Sequence, residues 1–528
     1  MLRSRPLDAL SGLLAFAVAA SLSEFVAAAL SVTSPYVAVG DGVIRLAPAA
    51  AVHFATGTFG TNDKPILLAT LVVITLVFGA LVGALSRQRT SVSMYGFALW
   101  GIVCAIAIWV EQVQDTTAVS VVGGAAVGGW IVLHVLFETI PVEAPVGDAS
   151  DDTTPAIGDP RRRTPDRRKF FAFATVSAGA SVAAALGARR LMGRDVDVEA
   201  ERRALTLPSA RQPLPMIPAA AALEVKGISP LVTPNEEFYR IDTALSVPRV
   251  NVATWRLRIT GMVEHPQEFT YDELRAMAAQ EADVTLTCVS NEVGDELVGN
   301  ARWLGIPLPA LLALAGVKAG ATQIVGRSVD GFTVGFPTEA ALDGRAAMVA
   351  LGMNGEVLPA RHGFPARLVV PGLYGYVSAT KWLSEIQLTT LEAFDAYWIP
   401  RGWSKNGPIK TESRIDVPSF GKAIPPGRTP IAGVAWGGIR SISKVEVRVV
   451  PSGAKDGAGT WMTARLGDAL SQSTWRQWVT EWDAQPGDYE ITVRATDGTG
   501  ETQTSEVADP APDGATGWHQ VRVKVRAP

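Results

Sequence analysis

Cysteine is nearly absent from this chain: there are two in 528 residues, Cys104 and Cys288. Covalent haem attachment through Cys-x-x-Cys-His is therefore excluded, and so is any cysteine-held iron–sulfur cluster. Histidine is scarce too, with five residues: His53, His134, His265, His362 and His519. There is no Gly-x-Gly-x-x-Gly and no Walker sequence, which argues against a nucleotide-binding fold. Excess positive charge is also missing: the net charge is -4, and the basic residues gather near the edges of apolar segments. That pattern gives no case for nucleic acid as a partner. The two cysteines occupy different surroundings. Cys104 lies within an apolar run, whereas Cys288 lies in the polar stretch Thr-Cys-Val-Ser-Asn-Glu-Val-Gly. Cys288 thus has no disulfide partner on its own side and reads as a buried filler, a reactive nucleophile or a metal ligand.

What is present in abundance is apolar residue, 48% of the chain, concentrated toward the N-terminus. Five segments have close to the roughly 20 residues a helix needs to cross a bilayer. They are Leu7 to Leu30, Ile66 to Leu85, Ser93 to Val110, Ala118 to Ile140 and Phe170 to Ala188. Arg3, Arg5, Arg87, Arg89, Arg161 to Arg163 and Arg167 to Lys169 fall in alternate links, while Glu111 and Asp115 fall in another. The positive-inside rule then sets the N-terminus in the cytoplasm. Five crossings put the chain after about Leu191 outside, although Arg189, Arg190 and Arg194 run against the rule there. The start of the fifth segment, Asp166-Arg167-Arg168-Lys169-Phe170-Phe171, resembles a twin-arginine export signal, and it also reads as an ordinary basic anchor flank.

The expected organisation is a four-helix transmembrane region over 1–145, then a basic linker with the fifth segment over 146–194. An extended linker follows over 195–235, then a catalytic-type domain over 236–420 and a β-sandwich over 421–528. Pro208, Pro213, Pro215 and Pro218 stiffen the extended linker, which either spaces the domains or packs over the next one as an arm. Trp255 to Ile259 alternates like a strand and ends at Gly261. Tyr271 to Ala279 reads as a helix capped by Thr270, Asp283 to Thr287 as a strand ending at Cys288, and Pro307 to Ala315 as a helix. Ala366 to Val370 is a further strand. Short strands and helices separated by long loops predict an α+β domain. Val445 to Val449, Tyr489 to Ala495 and Gln520 to Val525 alternate cleanly and predict an all-β, immunoglobulin-like sandwich.

Ordered blocks within this second half carry a resemblance. They are Thr233 to Asp242 (TPNEEFYRID), Cys288 to Asn291 with Gly299 to Gly305 (GNARWLG), and Asp330-Gly331-Phe332 with Met353 to Glu356. His362 to Gly372 (HGFPARLVVPG), Lys381-Trp382 and Gly433 to Gly438 (GVAWGG) complete the set. Over roughly residues 230 to 528 the chain resembles the sulfite oxidase-type molybdenum enzymes, as a bacterial membrane-anchored member. The resemblance implies a molybdenum-molybdopterin cofactor with Cys288 as the metal's thiolate, and a soft sulfur ligand suits such a metal.

The same resemblance implies that His362 and Arg367 hold the pterin and its phosphate, with Ser328, Ser378, Ala379, Thr380 and Lys381 around the cofactor's far end. Val377 and Ser378 stand where the family often places a further base, which gives Lys381 more of that charge to carry. Asn235, Phe238, Tyr239, Arg240 and Asp242 match the segment passing over metal and pterin. Asp242 is a departure, because an acid repels an anionic substrate unless it is neutralised; Arg240 is placed to offset it, or to pair with it between loops. Arg240 and Arg302 are the candidate substrate-binding cations. The region expected to supply a substrate tyrosine reads Tyr397-Trp398-Ile399-Pro400-Arg401-Gly402-Trp403, which suits an organic or protein-bound sulfoxide better than sulfite.

The implied function is oxygen-atom transfer to or from a small-molecule or protein-bound sulfur substrate. His134 in the fourth segment has no well-placed second histidine for a haem, so a separate electron-transfer partner is implied. The resemblance also allows a homodimer through the C-terminal region. A non-catalytic membrane sensor or structural protein with an enzyme-like ectodomain is the competing reading.

Overall fold

The computed structural model describes residues 5–30, 63–87, 89–110, 116–140, 167–192 and 198–526, less single positions at 212, 246, 278, 420, 422, 456 and 457, together with parts of 32–59. The expected linker over 151–166 and His53 lie outside the described residues. The chain divides into two compact units.

The first unit is helical. Among the described residues five helices are long and apolar enough to span a membrane: Pro6–Leu30, Asp63–Ser86, Thr90–Val110, Thr116–Thr139 and Arg168–Leu191. Four of them contain an expected apolar segment whole, and Thr116–Thr139 stops one residue before the expected Ile140. Small residues let two of them meet closely: a Cβ on Gly12 would lie 2.1 Å from the Gly79 carbonyl oxygen, and one on Gly83 would lie 2.3 Å from that of Asp8. Without a hydrophobic drive between helices in lipid, such backbone approach supplies the association by dispersion. Phe16 stacks on Phe97 with ring centroids 4.1 Å apart within the apolar core. Arg87 pairs with Asp8 at 2.9 Å, joining the start of the first helix to the end of the second spanning helix. Between those two lies a helix over Pro35–Leu46, too short to cross, which a search for membrane-length apolar runs passes over. Its signal is Ser34-Pro35: the serine hydroxyl accepts the Val37 N–H at 3.2 Å and proline occupies the first turn.

The second unit contains four sheets. One mixed sheet runs Gln267–Thr270, Arg256–Gly261, Leu383–Thr389, Gln323–Ser328, Thr333–Pro337 in spatial order. Another runs Gln280–Thr287, Val298–Pro307, Met348–Met353, Glu356–Val357, with Arg367–Val369 also paired to Met348–Met353. Phe238, Val284, Leu286, Trp303, Met348 and Val369 form a buried core on this second sheet. The helix over Tyr271–Ala276 starts at Thr270 with a full capping box: Thr270 Oγ1 accepts the Glu273 N–H and the Glu273 carboxylate accepts the Thr270 N–H. It ends three residues before the expected Ala279 because that residue is taken into a bridge with Ala210. The proline-rich stretch packs as an arm over the domain: Arg211 N–H donates to Ala279 O, and Leu214 N–H to the Glu281 carboxylate.

Two further sheets form the C-terminal region. One pairs Glu412–Val417, Gly427–Trp436, Arg476–Ala484 and Arg465–Leu466. The other pairs Ala423–Ile424, Gln520–Val525, Gly487–Asp497, Ile442–Pro451 and Trp461–Thr463. Ile431, Ala435 and Trp478 from the first share one apolar core with Val445, Val447, Ile491, Val493, Val521 and Val523 from the second. Alternation along the strands sends these residues to one face. The pairing begins at Glu412, and that strand comes directly from the catalytic-type domain.

Candidate active site

Cys288 stands at the end of the strand Gln280–Thr287, where the chain leaves the sheet. Its backbone is pinned on both sides: Cys288 N–H donates to Leu297 O at 2.9 Å, and Asn291 N–H donates to Cys288 O at 3.1 Å. The thiol is buried and free. Burial raises its pKa, while the Ser290 N–H and hydroxyl, the Lys381 charge and the Val289 N–H pull the other way. The sulfur thus sits in a turn of donors that favours an anionic form once a cation stands opposite.

Three elements converge on this point. A Cβ built on Gly375 would lie 3.8 Å from Tyr239 Oη, 3.9 Å from Thr287 O and 3.6 Å from Ala379 Cβ. Tyr239 stacks on Phe238 at 5.2 Å, and Phe238 meets the edges of Trp303 and His362. Burial, then the nearby Cys288, raises the Tyr239 pKa, so the phenol stays protonated. His362 is fully buried; its Nε2 lies 2.7 Å from the Asn235 carbonyl oxygen and donates to it. Burial depresses the His362 pKa to about 3, so the ring is neutral, and its Nδ1 has no partner among the described residues.

Arg367 is 4% exposed, and its guanidinium lies 4.9 Å from the Trp303 ring centroid. It donates to His362 O at 3.1 Å, and no carboxylate pairs with it among the described residues. Burial lowers its pKa to about 10. An uncompensated buried guanidinium costs several kcal/mol, which an anion held there offsets. The Thr287 and Thr380 hydroxyls are also buried, with no partner among the described residues. A phosphate-bearing, heteroatom-rich ligand meets all of these needs, so the residues present fit a pterin cofactor. No group of three or more His, Cys, Asp or Glu side chains is placed to hold a metal among the described residues.

Asp242 is neutralised rather than turned away: it pairs with Arg240 at 2.8 Å and with Lys381 at 3.0 Å. Lys381 also donates to Ile241 O at 3.0 Å, and burial lowers its pKa to about 8 despite Asp242. Asn235 accepts from Asn354 Nδ2 at 2.9 Å, while the Ser378 hydroxyl donates to Tyr374 O at 3.0 Å. Ser328 precedes Val329, whose N–H donates to Trp382 O at 2.9 Å, next to Lys381.

Arg302 is placed apart from this group. It faces Asp283 across the strand pair and forms two hydrogen bonds with that carboxylate, at 2.9 and 2.8 Å. Asp283 is five residues before Cys288, a separation of about 16 Å along an extended strand. Hydrogen bonding to Asp283 raises the Arg302 pKa. Tyr397 packs on Phe332 at 5.4 Å, and Trp403 on Tyr376 at 5.7 Å, so this aromatic stretch backs the loops around the site. Sequence reasoning misses Thr287, Trp303, Tyr374 and Glu412. Thr287 adjoins Cys288, which is a usable signal; the other three are brought in by long-range packing.

Residues 244–398 match the family model described as oxidoreductase molybdopterin binding domain. Sulfite oxidase of Gallus gallus is 28% identical over 330 residues, covering 52% of this chain and 69% of that protein. The NADH nitrate reductase of Solanum lycopersicum is 28% identical over 326 residues, 49% of this chain and 35% of that one. The chain spans 55% to 69% of the length of the vertebrate sulfite oxidases it matches. Among solved structures, the sulfane dehydrogenase SoxCD from Paracoccus pantotrophus is 24% identical with a TM-score of 0.48, over 62% of this chain and 90% of that one. The chain therefore carries an oxidoreductase molybdopterin-binding domain related to the sulfite oxidases, preceded in sequence by apolar helices long enough to span a membrane.

Proposed function

We propose that the protein is a molybdenum-dependent oxygen-atom-transfer oxidoreductase of the sulfite oxidase type, anchored in a bacterial cytoplasmic membrane with its catalytic domain on the outer face. The observation that supports this most is a buried free cysteine, Cys288, together with a buried guanidinium, Arg367, that pairs with no carboxylate among the described residues, and several buried polar atoms that find no partner among them. Cys288 is the metal's thiolate. Arg367, the neutral His362 Nδ1 and the Thr380 hydroxyl hold the pterin and its phosphate, with Asn235, Ser328, Ser378 and Ala379 lining the same cleft. When bound, the cofactor supplies the oxygen-atom and electron exchange.

The chain's own residues bind and orient. Arg240 and Lys381 flank Asp242, so the cluster carries a net positive charge and attracts an oxyanion despite the acid. The protonated Tyr239 is a donor close to Cys288. The substrate is a sulfur-centred oxide, either sulfite to be oxidised or an organic or protein-bound sulfoxide to be reduced. A separate partner exchanges the electrons, and the C-terminal sheets, an immunoglobulin-like sandwich, provide a homodimer contact.

The test uses protein produced in a host that makes the cofactor. Cys288→Ala is expected to lower bound molybdenum at least tenfold and abolish turnover; full metal retention would remove Cys288 from the ligand set. Turnover of sulfite and of methionine sulfoxide with artificial electron carriers separates the two directions, and inactivity toward both rejects the substrate class.

A further inference from the structure

Glu412 is an acid in an unusual place. It opens the first strand of the C-terminal sheets, pairs with Trp436 in the ladder, and is 4% exposed. Its carboxyl touches both loops that build the site. On one side Oε2 accepts from Asn291 Nδ2 at 3.3 Å. Asn291 Oδ1 accepts the Leu297 N–H at 2.8 Å, and Leu297 O accepts the Cys288 N–H. On the other side Oε1 accepts from Tyr374 Oη at 3.4 Å. The Tyr374 carbonyl in turn receives the Ser378 hydroxyl, in the loop that leads to Lys381.

No cation pairs with Glu412 among the described residues. Of the bases two residues away on either side, Lys410 directs its ammonium to Asp513 at 2.9 Å and to Gly514 O at 2.7 Å, and Arg414 pairs with Asp416 at 2.8 Å. Both bonds to Glu412 are longer than the 2.7–2.9 Å of a charge-assisted contact. As an ion, Glu412 would be a buried charge with two weak neutral donors, which costs more than burying the neutral acid.

We propose that Glu412 is a positioning residue that clamps the Cys288 loop to the Gly375–Lys381 loop, and that it does so as the neutral acid. Burial raises its pKa to about 8, with Asn291, Tyr374 and Lys410 acting in the opposite sense. The titratable groups facing it are Tyr374 and Lys410, and Asp513 faces Tyr374 from beyond. The clamp is therefore present at neutral pH and is released as pH rises through the Glu412 pKa. Ionisation leaves an unpaired buried charge, which the two loops relieve by separating. The functional importance of the clamp rests on Cys288 being the metal's thiolate; its existence does not.

The experiment is amide hydrogen exchange of the full-length protein in detergent, followed over residues 288–297 and 375–381 as a function of pH and corrected for the intrinsic rate. Wild type is expected to show one step of at least tenfold faster exchange, in both segments together, in the mildly alkaline range. Glu412→Gln keeps slow exchange and removes the step. Glu412→Leu exchanges at least tenfold faster in both segments at neutral pH. Tyr374→Phe loosens 375–381 alone and gives a reading if the leucine variant fails to fold. A wild type without the step, or a glutamine variant that keeps it, overturns the proposal. Bound molybdenum is measured on the same samples: its absence from wild type as well as variants counts against Cys288 as a ligand and leaves the exchange result standing.

Discussion

Arg367 shows how a single side chain can be read as half of an interaction. Its guanidinium is buried against Trp303, donates to a backbone carbonyl and has no carboxylate among the described residues. Breaking a buried ion pair usually costs about 3–5 kcal/mol because a charge is stranded. Here the protein's own half is already stranded until an anion binds. Arg367→Met should therefore leave the cofactor-free protein within about 1 kcal/mol of wild type, since removing the charge offsets the lost cation–π contact. The same variant should bind at least tenfold less cofactor. Thermal melting of the cofactor-free form, with molybdenum content after expression in a cofactor-competent host, checks both halves. A loss above about 3 kcal/mol without cofactor would show that Arg367 is a structural residue instead. Sequence resemblance places Arg367 and Cys288 in the site because each sits inside a contiguous block. Arg302 also sits in such a block, and its side chain pairs with Asp283 on the neighbouring strand, which no local pattern states. The resemblance also leaves out Glu412, whose contact with Asn291 spans 121 positions in the chain.

At the scale of elements, what is legible is what is local. Thr270 and Glu273 announce a helix start, and a Gly closes the strand Arg256–Gly261. That glycine has φ +83°, and an added Cβ would lie 2.1 Å from the Leu388 carbonyl oxygen. The same carbonyl accepts the Met262 N–H at 2.8 Å, so it is not free to retreat. Gly261→Ala should destabilise the second unit by about 2 kcal/mol or more, combining left-handed strain with the clash. Denaturant unfolding followed by tryptophan fluorescence measures it, and a change under about 0.5 kcal/mol would mean the turn re-forms without cost. The apolar spans are legible for a similar reason, because bilayer thickness fixes their length. The strand Glu412–Val417 is not: its place in the C-terminal sheet depends on pairing with Gly427–Trp436, which no local pattern states.

At the scale of the whole molecule, the proposed outer location of the catalytic domain follows from an odd number of spans and from charge. The Asp8–Arg87 pair joins the start of the first helix to the end of the second span, so those two ends share one side. That side also holds Arg89, and the proposed topology takes it as the cytoplasm in keeping with the positive-inside rule. Under that proposal, an odd number of crossings by the five helices long enough to span would put residue 198 onward on the outer face. Both native cysteines are buried, which gives a quiet background for labelling. A cysteine placed at the exposed Glu506 (Glu506→Cys) should react with a membrane-impermeant maleimide in cells whose outer barrier alone is opened. One placed at the exposed Thr90 (Thr90→Cys), beside the basic link, should react only after lysis. If Glu506→Cys also waits for lysis, the number of crossings is even, and the substrate and the electron partner must be sought in the cytoplasm. If instead Thr90→Cys labels with the outer barrier alone opened and Glu506→Cys waits for lysis, the positive-inside assignment of the Arg87–Arg89 link fails, and the Asp8–Arg87 pair would lie at the outer surface.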